Sequence, residues 1–236
     1  MVAAIWILAR LYYGRTPAEL GLAPDGGAPG AAPRSPVAAS ARPLPGPALR
    51  RDICFVTLAA GMALSLFAQI GLIAHLYSLL VPALGAQIAG FAAALATAAA
   101  IGGRTIVGWA MPAGADRRRF AAVNLAVQVA GCAAFLLADG QNPALLLLGV
   151  VLFGAGIGNV TSLPPLIAQT EFVPQDTARV VPAIVAIGQA GYAFAPAAFG
   201  LLRALGPGPA AAPWVFAAAA GLQIAAAVAF LSARRR

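Results

Sequence analysis

The 236-residue chain has no lysine, only 7 acidic residues, and charged side chains at just 9% of its length. So small a polar complement excludes an ordinary soluble domain, which would have to cover most of its surface with apolar atoms. Cysteine occurs twice, at Cys54 and Cys132, and both lie in apolar stretches, which argues against a disulfide framework. The single histidine, His75, has no cysteine or second histidine at ligand spacing, so no metal centre is expected. No cofactor is expected either: the glycines of "GAGIGN" follow no strand and open no βαβ unit, so they do not read as a dinucleotide loop.

What is present is apolar sequence, 61% of the residues, with a mean hydropathy of +0.86. It falls into six runs: Ile53 to Val81, Leu84 to Met111, Phe120 to Ala138, Ala144 to Gln169, Val180 to Leu205 and Trp214 to Ser232. At a rise of about 1.5 Å per residue, about 20 helical residues cross a hydrocarbon core about 30 Å thick, so each run is long enough to span. Alternating barrel strands are absent, and helices alone then satisfy their own backbone in lipid. The reading is an all-α, polytopic membrane protein with six transmembrane helices over residues 52–236. The separators "VPALG", "PAGADRRR", "ADGQNP", "EFVPQDTAR" and "GPGPAAAP" carry turn chemistry.

The net charge of +8 rests on 15 arginines, and their placement decides what they do. Arg34, Arg42, Arg50 and Arg51 precede the first span, Arg117, Arg118 and Arg119 join the second to the third, Arg179 joins the fourth to the fifth, and Arg234 to Arg236 follow the sixth. Arg203 alone falls on the other side. This positive-inside pattern accounts for the basic character without a nucleic-acid partner, and places both termini in the cytoplasm of a multi-pass cytoplasmic-membrane protein. Lipid is the expected surface partner.

The opening "MVAAIWILAR" is too short to span and carries its charge after the apolar stretch rather than before it, unlike a signal peptide. Residues 1–13 read as the tail of a truncated transmembrane helix. Residues 14–51, dominated from 23 onward by Pro, Gly, Ala and Arg, read as a largely disordered cytoplasmic linker.

Three stretches carry a resemblance. "RTPAELGLAPDG" is similar to the entry of a central linker between two six-helix halves, "GRTIVGWAMPAGADRRR" to a loop signature between the second and third helices of a half, and "GQAGYAFAPAAFG" to a Gly/Pro-rich fifth helix. In this order the chain resembles the carboxy-terminal half of a major facilitator superfamily transporter. The resemblance implies secondary active transport of a small solute by alternating access, as an antiporter or symporter, with an organic anion or drug-like solute as substrate. It also implies a missing amino-terminal half, or a second copy, as partner. Carried over, the loop signature falls on Gly103, Arg104, Gly108, Asp116, Arg117, Arg118 and Arg119. These residues act either as a gating hinge in which the aspartate pairs with arginine or caps a helix, or simply as anchors of topology. Arg104, inside apolar sequence, is expected to snorkel to the cytoplasmic interface. Gly188, Gly191, Pro196 and Gly200 are expected to pack and kink the fifth helix, and Gly154 and Gly158 to pack the fourth. Pro164 and Pro165 either break that helix or mark its end.

Polar residues within spans are the substrate-cavity candidates: Gln69, His75, Asn159, Gln189 and Tyr192. The resemblance favours Gln69 and Asn159, because the first and fourth helices of each half line the central cavity in that family. Asn124 and Gln128, spaced i and i+4, suit an interhelical hydrogen bond. Two readings compete with transport. One is a fragment with no independent activity, because a two-half cavity needs both halves. The other is a membrane-embedded hydrolase, for which Ser65 and Ser78 lack a G-x-S-x-G context and every acidic residue from Asp52 onward lies at a span end. Reporter fusions within residues 114–118 should report a cytoplasmic location; an external one would break both the topology and the resemblance.

Overall fold

The computed structural model describes Trp6, Arg10, Leu44 and residues 46–112, 114–205 and 212–233. The chain divides into two units, Met1–Pro36 and Val37–Arg236. In the first, Trp6 and Arg10 are helical and the Arg10 guanidinium sits 4.3 Å from the centroid of the Trp6 ring. The remainder of the expected truncated helix, and the expected linker as far as residue 43, lie outside the described residues.

The described residues of the second unit are mostly helical and include no strand. Its elements are α1 (Gly46–Arg51), α2 (Ile53–Ala110), α3 (Arg117–Ala138), α4 (Pro143–Val160), α5 (Leu163–Glu171), α6 (Pro174–Leu205) and α7 (Ala212–Ser232). Five of these, α2, α3, α4, α6 and α7, are long and apolar enough to cross a membrane. At 58 residues α2 would extend about 87 Å if straight, far beyond one bilayer. It is divided at Gly85, whose φ of 73° and ψ of 162° lie in a region open in practice only to glycine. The two arms fold back on each other, since Ile73, Leu76 and Tyr77 of the first line one cavity with Ala93, Ala96 and Thr97 of the second.

Two apolar clusters show how often the chain crosses. One gathers Leu49 to Leu66, Ala121 and Leu125, Val160 to Ile184, and Ala226 to Ala233, with Val107 and Met111 packed against it. The other gathers Leu72 to Ala96, Cys132 to Phe153, Phe199, and Val215 to Ala219. Along the chain the two clusters are visited in seven successive segments, so the chain passes between them six times. Among the described residues, Arg117 to Arg119 and Arg179 fall at the first cluster's end, and Arg203 at the other.

Short polar residues set the helix ends. Asp52 accepts from the backbone N–H of Cys54 and Phe55 at 2.9 and 3.1 Å, Asp116 from Arg118 and Arg119 at 3.1 and 3.2 Å, and Asn142 from Ala144 and Leu145 at 3.1 and 3.2 Å. Each satisfies amide donors that have no partner within their own helix. Asp139 ends α3 in the left-handed region, with φ of 46°.

Several boundaries differ from the sequence expectation. Residues 46–51, expected in the flexible linker, form α1, because Leu49 is buried in the first apolar cluster. The fourth span, expected from Ala144 to Gln169, breaks at Thr161 and Ser162. There α4 ends and α5 begins, with Pro164 and Pro165 in the first turn of the new helix, where a missing N–H costs nothing. The fifth begins at Pro174 rather than Val180.

The second arm of α2 and α4 approach with almost no side chain between them. Gly154 and Gly158 face the backbone of Ala96 and Ala100, and a methyl group at Gly103 would overlap the Ala155 carbonyl. Gly103→Val should therefore cost upward of about 1–3 kcal/mol, the usual range for overpacking, read as a lower melting temperature in detergent. Gly108→Ala, at a position with nothing within 4 Å, should leave it unchanged.

Candidate functional site

Polar side chains in the bundle form three layers. The first closes the arginine-bearing end. Arg118, only 2% exposed, donates from Nε and Nη2 to the two carboxylate oxygens of Glu171 at 2.5 and 2.8 Å. Its remaining N–H groups reach Thr57 Oγ1 and the Phe230 carbonyl, both at 3.1 Å, and the Cys54 carbonyl at 3.0 Å. One guanidinium on α3 thus ties α5, α2 and α7 together, and at Phe230 it satisfies a carbonyl in the last turn of α7 that has no partner within that helix. Arg117 donates to the Leu166 carbonyl, whereas Arg119 makes a half-exposed pair with Asp116 at 3.1 Å. Arg104 is exposed, and its guanidinium reaches α4, donating to the Gly158 carbonyl and to Thr161 Oγ1, and so caps the carboxy-terminal end of that helix at the arginine-bearing end. Asp116 caps the start of its own helix, α3.

The same end carries a clamp. The carboxylate of Asp176, 2% exposed, accepts from the backbone N–H of Leu44 at 2.9 Å and pairs with Arg179, which in turn donates to the Leu44 carbonyl at 2.7 Å. A backbone donor and acceptor just before α1 are both held by one ion pair at the start of α6.

The second layer lies between the two apolar clusters, midway along the crossings. Gln128 Oε1 accepts from Gln69 Nε2 and from Gln223 Nε2, each at 2.8 Å, and all three side chains are 0–1% exposed. The triad joins α2, α3 and α7. Gln128 Nε2 and Gln223 Oε1 have no partner, so the triad is only partly satisfied. One turn away, Asn159 Nδ2 donates to Asn124 Oδ1 at 2.8 Å, and Asn124 Nδ2 to the Gly156 carbonyl at 3.0 Å, linking α3 to α4. On α6, Gln189 and Tyr192 occupy the same level, one turn apart, and both are exposed.

The third layer is at the opposite end. His75 is half-buried, and its Nε2 lies 3.0 Å from the Pro196 carbonyl. Since a carbonyl only accepts, that nitrogen carries the ring proton. Gly200 leaves room for the ring, and Arg203 donates to Ser78 Oγ at 2.6 Å. Gly188 packs against Leu66 and Met62, and Gly191 lies near the Ala63 carbonyl, so this face of α6 rests on the first arm of α2.

The five cavity candidates therefore separate. Gln69 and Asn159 are bonded inside the bundle, His75 is held at one end, and only Gln189 and Tyr192 look outward. Glu171, read from sequence as a loop residue, ends α5 and is the partner of Arg118. Gln223 went unrecognised, although a lone amide in "GLQIAAAVAF" is the same signal that singled out Gln69.

Removing the Gln128 amide strands two donors at once, while removing that of Gln223 breaks one bond and eliminates one unpartnered acceptor. Gln128→Met should cost about 1–3 kcal/mol and Gln223→Met clearly less, measured by denaturant unfolding in micelles; equal costs would contradict the assigned bonding.

Comparison of the chain with protein-family models, with curated proteins and with solved structures gives no match.

Proposed function

We propose that the six-crossing bundle is one half of a secondary transporter of the major facilitator type, moving a small solute by alternating access. The observation that carries this reading is the polar layer midway across the bundle, where Gln69, Gln128, Gln223, Asn124 and Asn159 are bonded inward while Gln189 and Tyr192 are exposed. Solute sites in such transporters lie near the bilayer midplane, at the face where two helical repeats meet. Gln189 and Tyr192 supply hydrogen-bonding groups at that depth on an open helix face, and a polar group facing lipid there would be unfavourable. A second six-helix bundle, either an amino-terminal half or another copy of this chain, covers the face and completes the cavity.

Around that face the bundle is suited to move as one body. The guanidinium network of Arg118 and the close contact at Gly103 hold its helices to each other, so rocking takes place between bundles and not within one. The end that bears Arg117 to Arg119 and Arg179 lies in the cytoplasm by the positive-inside rule, which places both termini there and the chain in the cytoplasmic membrane.

In vesicles energised by a proton gradient and screened with radiolabelled organic anions and neutral drug-like solutes, the chain together with its partner bundle should show saturable flux. Gln189→Leu and Tyr192→Phe should lower that flux by about tenfold or more, with unchanged membrane content. Gln69→Ala should lower stability first. Flux indifferent to both α6 substitutions would remove this face from the pathway.

A further inference from the structure

Apart from the polar layers, the bundle holds a cavity of about 320 Å³ between the two arms of α2, closed at the back by Ile157 of α4. Its origin is in the sequence: the second arm offers only alanine and threonine over "AAALATAAA" on the side that meets Ile73, Leu76 and Tyr77, so antiparallel arms joined at Gly85 cannot fill the space between them. The volume lies in the range of pockets that enclose small organic ligands.

Its chemistry is selective. The lining carries two hydroxyls and no charge. Thr97 Oγ1 donates to the carbonyl of Ala93 in its own helix. Tyr77, a lining residue 48% exposed, has no hydrogen-bond partner for its hydroxyl among the described residues. Two arginines stand beside the lining and both are engaged elsewhere: Arg104 donates to Gly158 and Thr161, and Arg203 to Ser78. His75 is turned to Pro196. An anion entering the cavity would lose its hydration and meet no charged side chain in the lining, the flanking guanidinium groups being bonded to the protein.

A second apolar hollow makes the contrast. The groove of about 220 Å³ between the end of α2 and α3 is lined by Ile106, Val107, Phe120, Val123 and Val127, and its one side-chain amide, Asn124, is already bonded to Gly156 and Asn159. Nothing there distinguishes a ligand from a lipid tail. Between the arms of α2 the Tyr77 hydroxyl does, because an acyl chain offers it no acceptor.

We propose that the cavity between the arms of α2 is a binding site for a neutral, apolar small molecule bearing a carbonyl or ether oxygen, which accepts the Tyr77 hydroxyl proton while its body packs against Ile73, Leu76, Ala96 and Ile157. The site does not depend on Gln189, Tyr192 or a partner bundle.

Benzophenone, neutral and apolar with one carbonyl, tests this directly. Ultraviolet light inserts it into nearby C–H bonds, and mass spectrometry of the full chain in lipid nanodiscs locates the adducts. Saturable labelling confined to residues 73–77, 93–100 and 157 is expected. Tyr77→Phe should weaken it by about 2- to 10-fold, the effect of one hydrogen bond, and Ala93→Phe, at an exposed position, should abolish it by filling the cavity. The anionic analogue 4-benzoylbenzoate should not compete. Non-saturable labelling spread over all lipid-facing helices would show that lipid fills the cavity, effective competition by the anion would overturn the ligand class, and labelling indifferent to Tyr77→Phe would overturn the role of the hydroxyl.

Discussion

A single buried guanidinium governs how the bundle closes. Arg118 sits at the first turn of α3, where loops from four parts of the chain converge, and its donors reach α2, α5 and α7 at once. Taking such a group out of water is unfavourable unless its charge and every N–H are met, and here Glu171 supplies the charge while two carbonyls and a hydroxyl meet the remaining donors. Glu171 ends α5, the short helix that follows the interruption of the fourth crossing at Thr161 and Ser162, and from there its carboxylate meets Arg118. The break before Pro164 is therefore part of the same arrangement as the ion pair.

Beyond that end, cohesion comes from close contact and from amides. Gly103, Gly154 and Gly158 let the second arm of α2 lie on α4 backbone to backbone, which suits a solvent where burying apolar surface against another helix gains little over lipid. The glutamine triad and the asparagine pair then fix α3 against α2, α7 and α4 halfway across. Such bonds stabilise modestly in membranes, on the order of 0.6 kcal/mol each on average, but they specify which helix faces meet. Two unpartnered atoms in the triad mark it as the least satisfied part of the interior.

The helical, membrane-spanning character of the chain and the loops that carry Arg117 to Arg119 and Arg179 were legible in the sequence because they depend on hydrophobic length, turn residues and arginine placement, all local quantities. The packing of Gly154 and Gly158 was legible for the same reason. What escaped were relations between distant residues. Nothing local pairs Arg118 with Glu171, 53 positions away, or tells an amide that bonds inward, such as Gln69, from one that faces outward, such as Gln189. The hydrophobic scale read 53–81 and 84–111 as separate spans, whereas the structure carries helix up to and beyond a single residue, Gly85. The short helix at 46–51 was hidden because its stability derives from the burial of Leu49 and not from the composition of "GPALRR".

The central claim, that the Arg118–Glu171 pair closes the bundle, is tested most directly by a double-mutant cycle with Arg118→Leu and Glu171→Leu, followed by reversible denaturant unfolding in micelles. Glu171→Leu takes the counter-charge from a buried guanidinium and should cost about 3–5 kcal/mol, Arg118→Leu breaks the same pair together with the contacts to α2 and α7, and the double variant should cost well below the sum. Single effects that are small, or that simply add, would contradict the account.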